Sequence, residues 1–113
     1  MITHKNLEWS RLATDELRSR RAELVAALPQ ADVLLPGALV EQHRNCGKEG
    51  CRCTRGEPHG PYVYLQVAGR LTYVPAALAE AVRARVEVSG QLRSLLQQIS
   101  EINLELLSRR ELD

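Results

Sequence analysis

Three cysteines fall within eight residues, at Cys46, Cys51 and Cys53, in the run His43-Arg44-Asn45-Cys46-Gly47-Lys48-Glu49-Gly50-Cys51-Arg52-Cys53. An odd number of thiols set so close together argues against a disulfide framework. The chain then continues Thr54-Arg55-Gly56-Glu57-Pro58-His59-Gly60-Pro61-Tyr62, which adds an imidazole. Tetrahedral zinc takes four Cys or His donors at about 2.0–2.3 Å. Cys46, Cys51, Cys53 and His59 offer a Cys3His set, with His43 as the alternate fourth ligand. Gly47 and Gly50 let the backbone turn tightly between the first two sulfurs, and Gly56, Pro58 and Gly60 bend it back toward them. A structural Zn2+ is the cofactor this pattern implies. The spacing is not the paired Cys-x2-Cys knuckle, so two other readings stay open. One is a metal-free loop whose backbone N–H groups receive a phosphate or carboxylate together with Lys48, Arg52 and Arg55. The other is a redox or catalytic thiol.

The residues around this segment predict an α+β fold: an N-terminal helix, a three-stranded antiparallel sheet carrying the Cys-rich zinc loop, and a long coiled-coil-like C-terminal helix. Residues 14–28 read as the first helix, with Thr14 able to cap, Asp15 and Glu16 suited to the positive end, Leu17, Leu24, Val25 and Leu28 as an apolar stripe, and Pro29 as the stop. The stretch around Trp9 either extends that helix or folds back on it as a core anchor. Residues 38–75 form the β and zinc-loop module. Leu39 to His43 has strand-type residues, and Tyr62–Val67 and Leu71–Val74 flank Ala68-Gly69-Arg70 as a hairpin. Alternation puts Tyr62, Tyr64 and Gln66 on one face and Val63, Leu65 and Val67 on the other. Either the tyrosine face is open to a partner, or Tyr62, Tyr64 and Tyr73 cover a helix instead. Residues 76–110 read as one long helix with Pro75 in its first turn and Gly90 as its weak point. Within it Val88, Leu92, Leu95, Ile99, Ile102 and Leu106 recur at steps of four and three, which is the spacing of a dimer seam. Leu96, Leu104 and Leu107 widen the stripe, so a homodimer is expected unless the N-terminal helix covers it within one chain.

Length and charge set the outer bounds. At 113 residues the chain suits a single domain over 1–113, and at that size folding buries only about two thirds of the unfolded surface, so a metal or a partner would help. The net charge is +1, unlike a protein that simply coats nucleic acid. Residues 38–75 hold five basic and three acidic groups, so any anion-facing surface lies there. The contacts expected to serve it are Arg44, Lys48, Arg52, Arg55, Tyr62, Tyr64 and Arg70. Arg18, Arg20 and Arg21 have Glu16 and Glu23 beside them and read as a solvated helix face. No apolar run approaches the roughly 20 residues needed to span a bilayer, and MITHKNLEWS lacks a secretory h-region, so a cytoplasmic protein without membrane contact is expected.

The motif CGKEGCRC followed by GEPHGPY, with PGALVEQHR before it and YLQVAGRLTYVP and a Leu-rich helix after it, resembles a family of small bacterial proteins of unknown function. The resemblance covers roughly residues 15–107, with Cys46, Cys51, Cys53, His59, Gly60, Pro61 and Tyr62 all in place. Members of that family are often encoded near transposases and other mobile-element genes, which implies a DNA-transaction setting.

These features favour a non-enzymatic, zinc-stabilised, dimeric nucleic-acid-binding or mobile-element accessory protein, with DNA or a DNA-processing protein as partner. The alternative is a zinc-stapled protein–protein adaptor with no direct DNA contact. A small metal- or thiol-dependent enzyme is a minor alternative. A Cys nucleophile needs a positioned base, and only His4, His43 and His59 exist, with no acid cluster brought beside them by spacing. Glu57 is the one base to consider for hydrolytic zinc, and a turn Glu is ordinarily solvated, so no catalytic residue is assigned.

Overall fold

The computed structural model describes residues 7–113; His4 lies outside them. The elements are α1 (Leu7–Ser10), α2 (Thr14–Ala26), β1 (Ala38–Arg44), β2 (His59–Val67), β3 (Arg70–Val74) and α3 (Ala79–Ser108), an α+β arrangement with one three-stranded antiparallel sheet in the order β1-β2-β3. The described residues divide into two compact units: one holds those up to Ala31 together with Gly90–Asp113, the other Asp32–Ser89. Among the described residues no helix is long and apolar enough to cross a membrane.

In the helical unit α1 is a separate turn rather than an extension of α2, and it brings Trp9 into the core with Leu17, Leu24, Ile102 and Leu106. Burying such side chains stabilises by roughly 1.5–3 kcal/mol each. Trp9 also donates its indole N–H to Glu101 at 3.2 Å, the partner a buried tryptophan needs. The expected stripe on α2 is narrower than its sequence suggests: Val25 is exposed, Leu28 lies beyond the helix, and Leu17 and Leu24 carry the contact. Thr14 does not cap. Ala13 holds the cap position, and the Thr14 hydroxyl accepts instead from Arg109. Glu105, 9% exposed, accepts from Arg109 Nε at 2.9 Å, and the same guanidinium reaches the Trp9 and Ser10 carbonyls. A buried carboxylate is tolerated only when paired and hydrogen-bonded in this way.

The same packing divides the anticipated dimer seam. Ile102 and Leu106 are fully buried by the chain itself, and Leu95 and Ile99 pack against that cluster. Trp9 and Leu12, from the α1 segment, supply cover that the stripe on α2 alone lacks. Leu92 is half-buried, and Val88, also half-buried, falls in the other unit.

The sheet unit begins at Asp32 and ends in the first turns of α3. Pro75 starts a single 3-10 turn, Ala76–Leu78, that leads into the helix. The hairpin loop is two residues, Ala68 and Gly69, both at positive φ (49° and 81°), as the tightest hairpins require. Leu65 and Val74 are the buried positions of the sheet. Residue Leu65 stands opposite Leu39 and Thr72, and Val74 opposite Val63, so all five belong to one face.

Candidate metal centre

The site is positioned by an irregularity in the β1–β2 ladder. Gln42 pairs with Tyr62, but Arg44 pairs with His59, so Gly60 and Pro61 together oppose the single residue His43. Such a bulge shifts the side-chain phase by one. Odd-numbered His59 is thereby placed on the face of Tyr62 and Tyr64, across from Arg44. Only glycine fits at the bend. At position 60 φ is 123°, and an added Cβ would stand 2.8 Å from the Gln42 carbonyl oxygen.

Between the strands the chain forms a short knuckle. Thr54 returns both its backbone N–H (3.0 Å) and its hydroxyl (2.6 Å) to the Cys51 carbonyl, and Arg52–Arg55 form a 3-10 turn capped by Gly56 in the left-handed conformation. The turn buries Cys53 and leaves Cys46 exposed. The Sγ atoms of Cys46, Cys51 and Cys53 and a ring nitrogen of His59 all lie within 4.8 Å of one another. A tetrahedron with bonds of about 2.3 Å sets its sulfurs roughly 3.8 Å apart. Here Cys46 and Cys53 Sγ are 3.6 Å apart, and Cys51 Sγ is 3.2 Å from His59 Nε2. These four residues can therefore hold a metal ion. His43, the alternate ligand, is not in this group. It precedes Arg44 on β1, and alternation directs it to the opposite face.

The electrostatics of the knuckle favour a thiolate. The Cys51 thiol is lowered from 9.0 to about 6, first by a hydrogen bond from the Cys53 backbone and then by the Cys46 and Cys53 thiols. Cys46 shifts upward: the Lys48 backbone favours its thiolate, but the Cys51 and Cys53 thiols together with desolvation outweigh it. One thiol that ionises readily is what a ligand set needs to recruit a cation near neutral pH.

A cleft of about 390 Å³ adjoins the cluster, lined by Arg44, Asn45, Cys46, His59, Tyr62, Tyr64 and Tyr73. Arg44 lies 5.8 Å from the centroid of the Tyr62 ring and 5.4 Å from that of Tyr64, and donates to the Tyr64 hydroxyl. Of the expected anion contacts, Arg44, Tyr62 and Tyr64 are brought together here. Lys48, Arg52 and Arg55 are exposed on the knuckle and do not line the cleft. Arg70 pairs with Val67, which places it on the other face of the sheet. Sequence reasoning passed over Asn45, and it grouped Tyr73 with Tyr62 and Tyr64 without counting it among the anion contacts. The signal for Tyr73 was the loop length: a two-residue turn pairs Tyr64 with Tyr73, whereas a three-residue loop does not. Glu57 is exposed and outside the ligand group, so no base accompanies the cluster from that position.

A protein family described as Domain of unknown function (DUF6788) matches residues 14–84. The chain belongs to this family. The DUF6788 match takes in α2, the three strands and all four candidate ligands, and it ends within α3, short of the span the sequence motifs suggested. No curated protein and no solved structure matches the chain.

Proposed function

We propose that the chain is a non-enzymatic, zinc-stapled module that binds nucleic acid, as an accessory of mobile-element transactions. The observation that carries this reading is the cleft beside the metal centre, where an arginine and three tyrosines converge and no carboxylate is present. Thiolate-rich tetrahedral donors suit zinc. Four protein donors fill its coordination shell, and a closed shell is structural, because hydrolytic zinc keeps one position for water. Cys46 and His59 belong both to the cluster and to the cleft wall, so a bound ion would fix the ends of β1 and β2 that carry Arg44 and Tyr62. The mobile-element setting rests on the resemblance to proteins encoded beside transposases. A homodimer belongs to the same reading, and its support is the half-exposed Leu96, Leu104 and Leu107 on α3 rather than Ile102 and Leu106.

Native mass spectrometry of protein purified without chelator tests the staple and the dimer together. One zinc per chain in a dimer is the expected result, and a metal-free chain defeats the reading. Binding to nucleic acid, followed by anisotropy, is expected to weaken with added salt.

One observation favours a second reading, a protein–protein adaptor: a cleft of about 330 Å³ in the sheet unit lined by Val33, Ala81, Ala84, Arg85 and Val88. An interface of that apolar kind is far less sensitive to salt.

A further inference from the structure

The tyrosine face combines three properties. The first is a fixed cation. Arg44 sits over two rings and donates to the Tyr64 hydroxyl, which uses one of the five N–H donors of a guanidinium and restrains the rest. The second is an open aromatic surface. Tyr73 meets Tyr64 edge-to-face at 5.8 Å and 68°, yet it remains 54% exposed. The third is a sparse charge. By register, this face carries Gln42, Arg44, Tyr62, Tyr64, Gln66 and Tyr73 together with the candidate ligand His59, so its one guanidinium faces no carboxylate; Glu41 belongs to the opposite face.

Duplex DNA does not match that inventory. Its bases are stacked on one another, and proteins that hold it well neutralise many phosphates, about 6–10 in strongly salt-dependent cases. Unpaired bases do match. Each offers a ring face to an exposed aromatic side chain, and stacking of this kind contributes roughly 1–3 kcal/mol per base without demanding a dense positive field. The cleft of about 390 Å³ also lies within the size range of pockets that enclose small organic groups. We infer that the tyrosine face binds single-stranded nucleic acid, with a base stacked on Tyr73 and a phosphate held by Arg44. The inference rests on the nucleic-acid reading above and narrows it. The near-neutral charge of the chain, which argues against coating a duplex, agrees with binding through stacking.

The test uses the full zinc-loaded chain, with anisotropy of a labelled oligothymidylate of about a dozen nucleotides and of a duplex of matched length at several salt concentrations. The single strand is expected to bind roughly tenfold or more tighter than the duplex. The slope of log K against log salt is expected near −0.7 to −1.4, for one or two phosphates. Tyr73→Ala should lose roughly tenfold in affinity with zinc content and circular dichroism unchanged, while Tyr73→Phe keeps the wild-type affinity. Arg44→Gln should make the slope shallower by about 0.7. Equal or tighter binding of the duplex, or an unaffected Tyr73→Ala variant, overturns this inference and leaves nucleic-acid binding to another surface. Absence of binding to either probe at low salt removes both the inference and the reading on which it rests.

Discussion

In the helical unit five large side chains, Trp9, Leu17, Leu24, Ile102 and Leu106, are buried together, and a paired Glu105 and Arg109 close over their edge. The sheet unit buries Cys53, Leu65 and Val74, and one of those three is a candidate metal ligand. Both regions face the same entropy cost of ordering a short chain. The first meets it with apolar area. The second has too little for its length, and a metal-bound knuckle is the usual remedy for a small core. A scarcity of buried apolar residues is thus itself a reason to look for a staple, independent of any cysteine motif.

The contrast is broken most directly by removing a ligand. Cys51→Ser is expected to melt the sheet unit while the helical unit keeps most of its helical circular dichroism, because structural zinc contributes on the order of 10–16 kcal/mol in small metal-dependent domains. An unchanged melting profile would mean that the sheet stands on its own core. Next in size is Ile102→Ala, which leaves a cavity beside Trp9 and Leu17 and should destabilise the helical unit by about 2–5 kcal/mol with zinc content unaltered. Equal loss of metal in that variant would show that the two regions are not separable in this way. The smallest effect is expected from Asp113→Asn. The Asp113 carboxyl is held down from 3.8 to about 2, chiefly by the Arg21 hydrogen bond. A carboxylate with a lowered folded value contributes fully above pH 3.8 and loses its contribution as the pH falls through about 2. The melting temperatures of wild type and Asp113→Asn should therefore converge in acid. Because this pair is exposed, the difference at neutral pH should be slight and screened by salt.

Much of the architecture was legible because local signals agreed with each other. The alternation in Tyr62–Val67, a turn glycine at 69 and the α-type periodicity after Pro75 all named elements that are present. Two features were not legible. Steps of four and three on α3 look the same whether the cover comes from a second copy or from the same chain, and the segment around Trp9 that partly decides it is only one helical turn long. The choice between His43 and His59 depended on the phase of β2, and nothing in the alternation of the strand announces that Gly60 and Pro61 together face one residue. Cysteine spacing identified the donors, but strand pairing decided which imidazole reaches them.

That bulge also determines which length changes this family can absorb. The extra residue offsets the odd spacing of His59 and Tyr62 and so sets the parity between them; inserting one more residue in that step would swing the imidazole to the far side of the sheet and part it from the three sulfurs. Residues inserted at the exposed tip of the knuckle, around Lys48 and Glu49, lie outside the strand ladders and leave that parity untouched. Single-residue insertions among related chains should accordingly collect at the tip and avoid the His-Gly-Pro-Tyr step, where His59 and Gly60 also resist substitution.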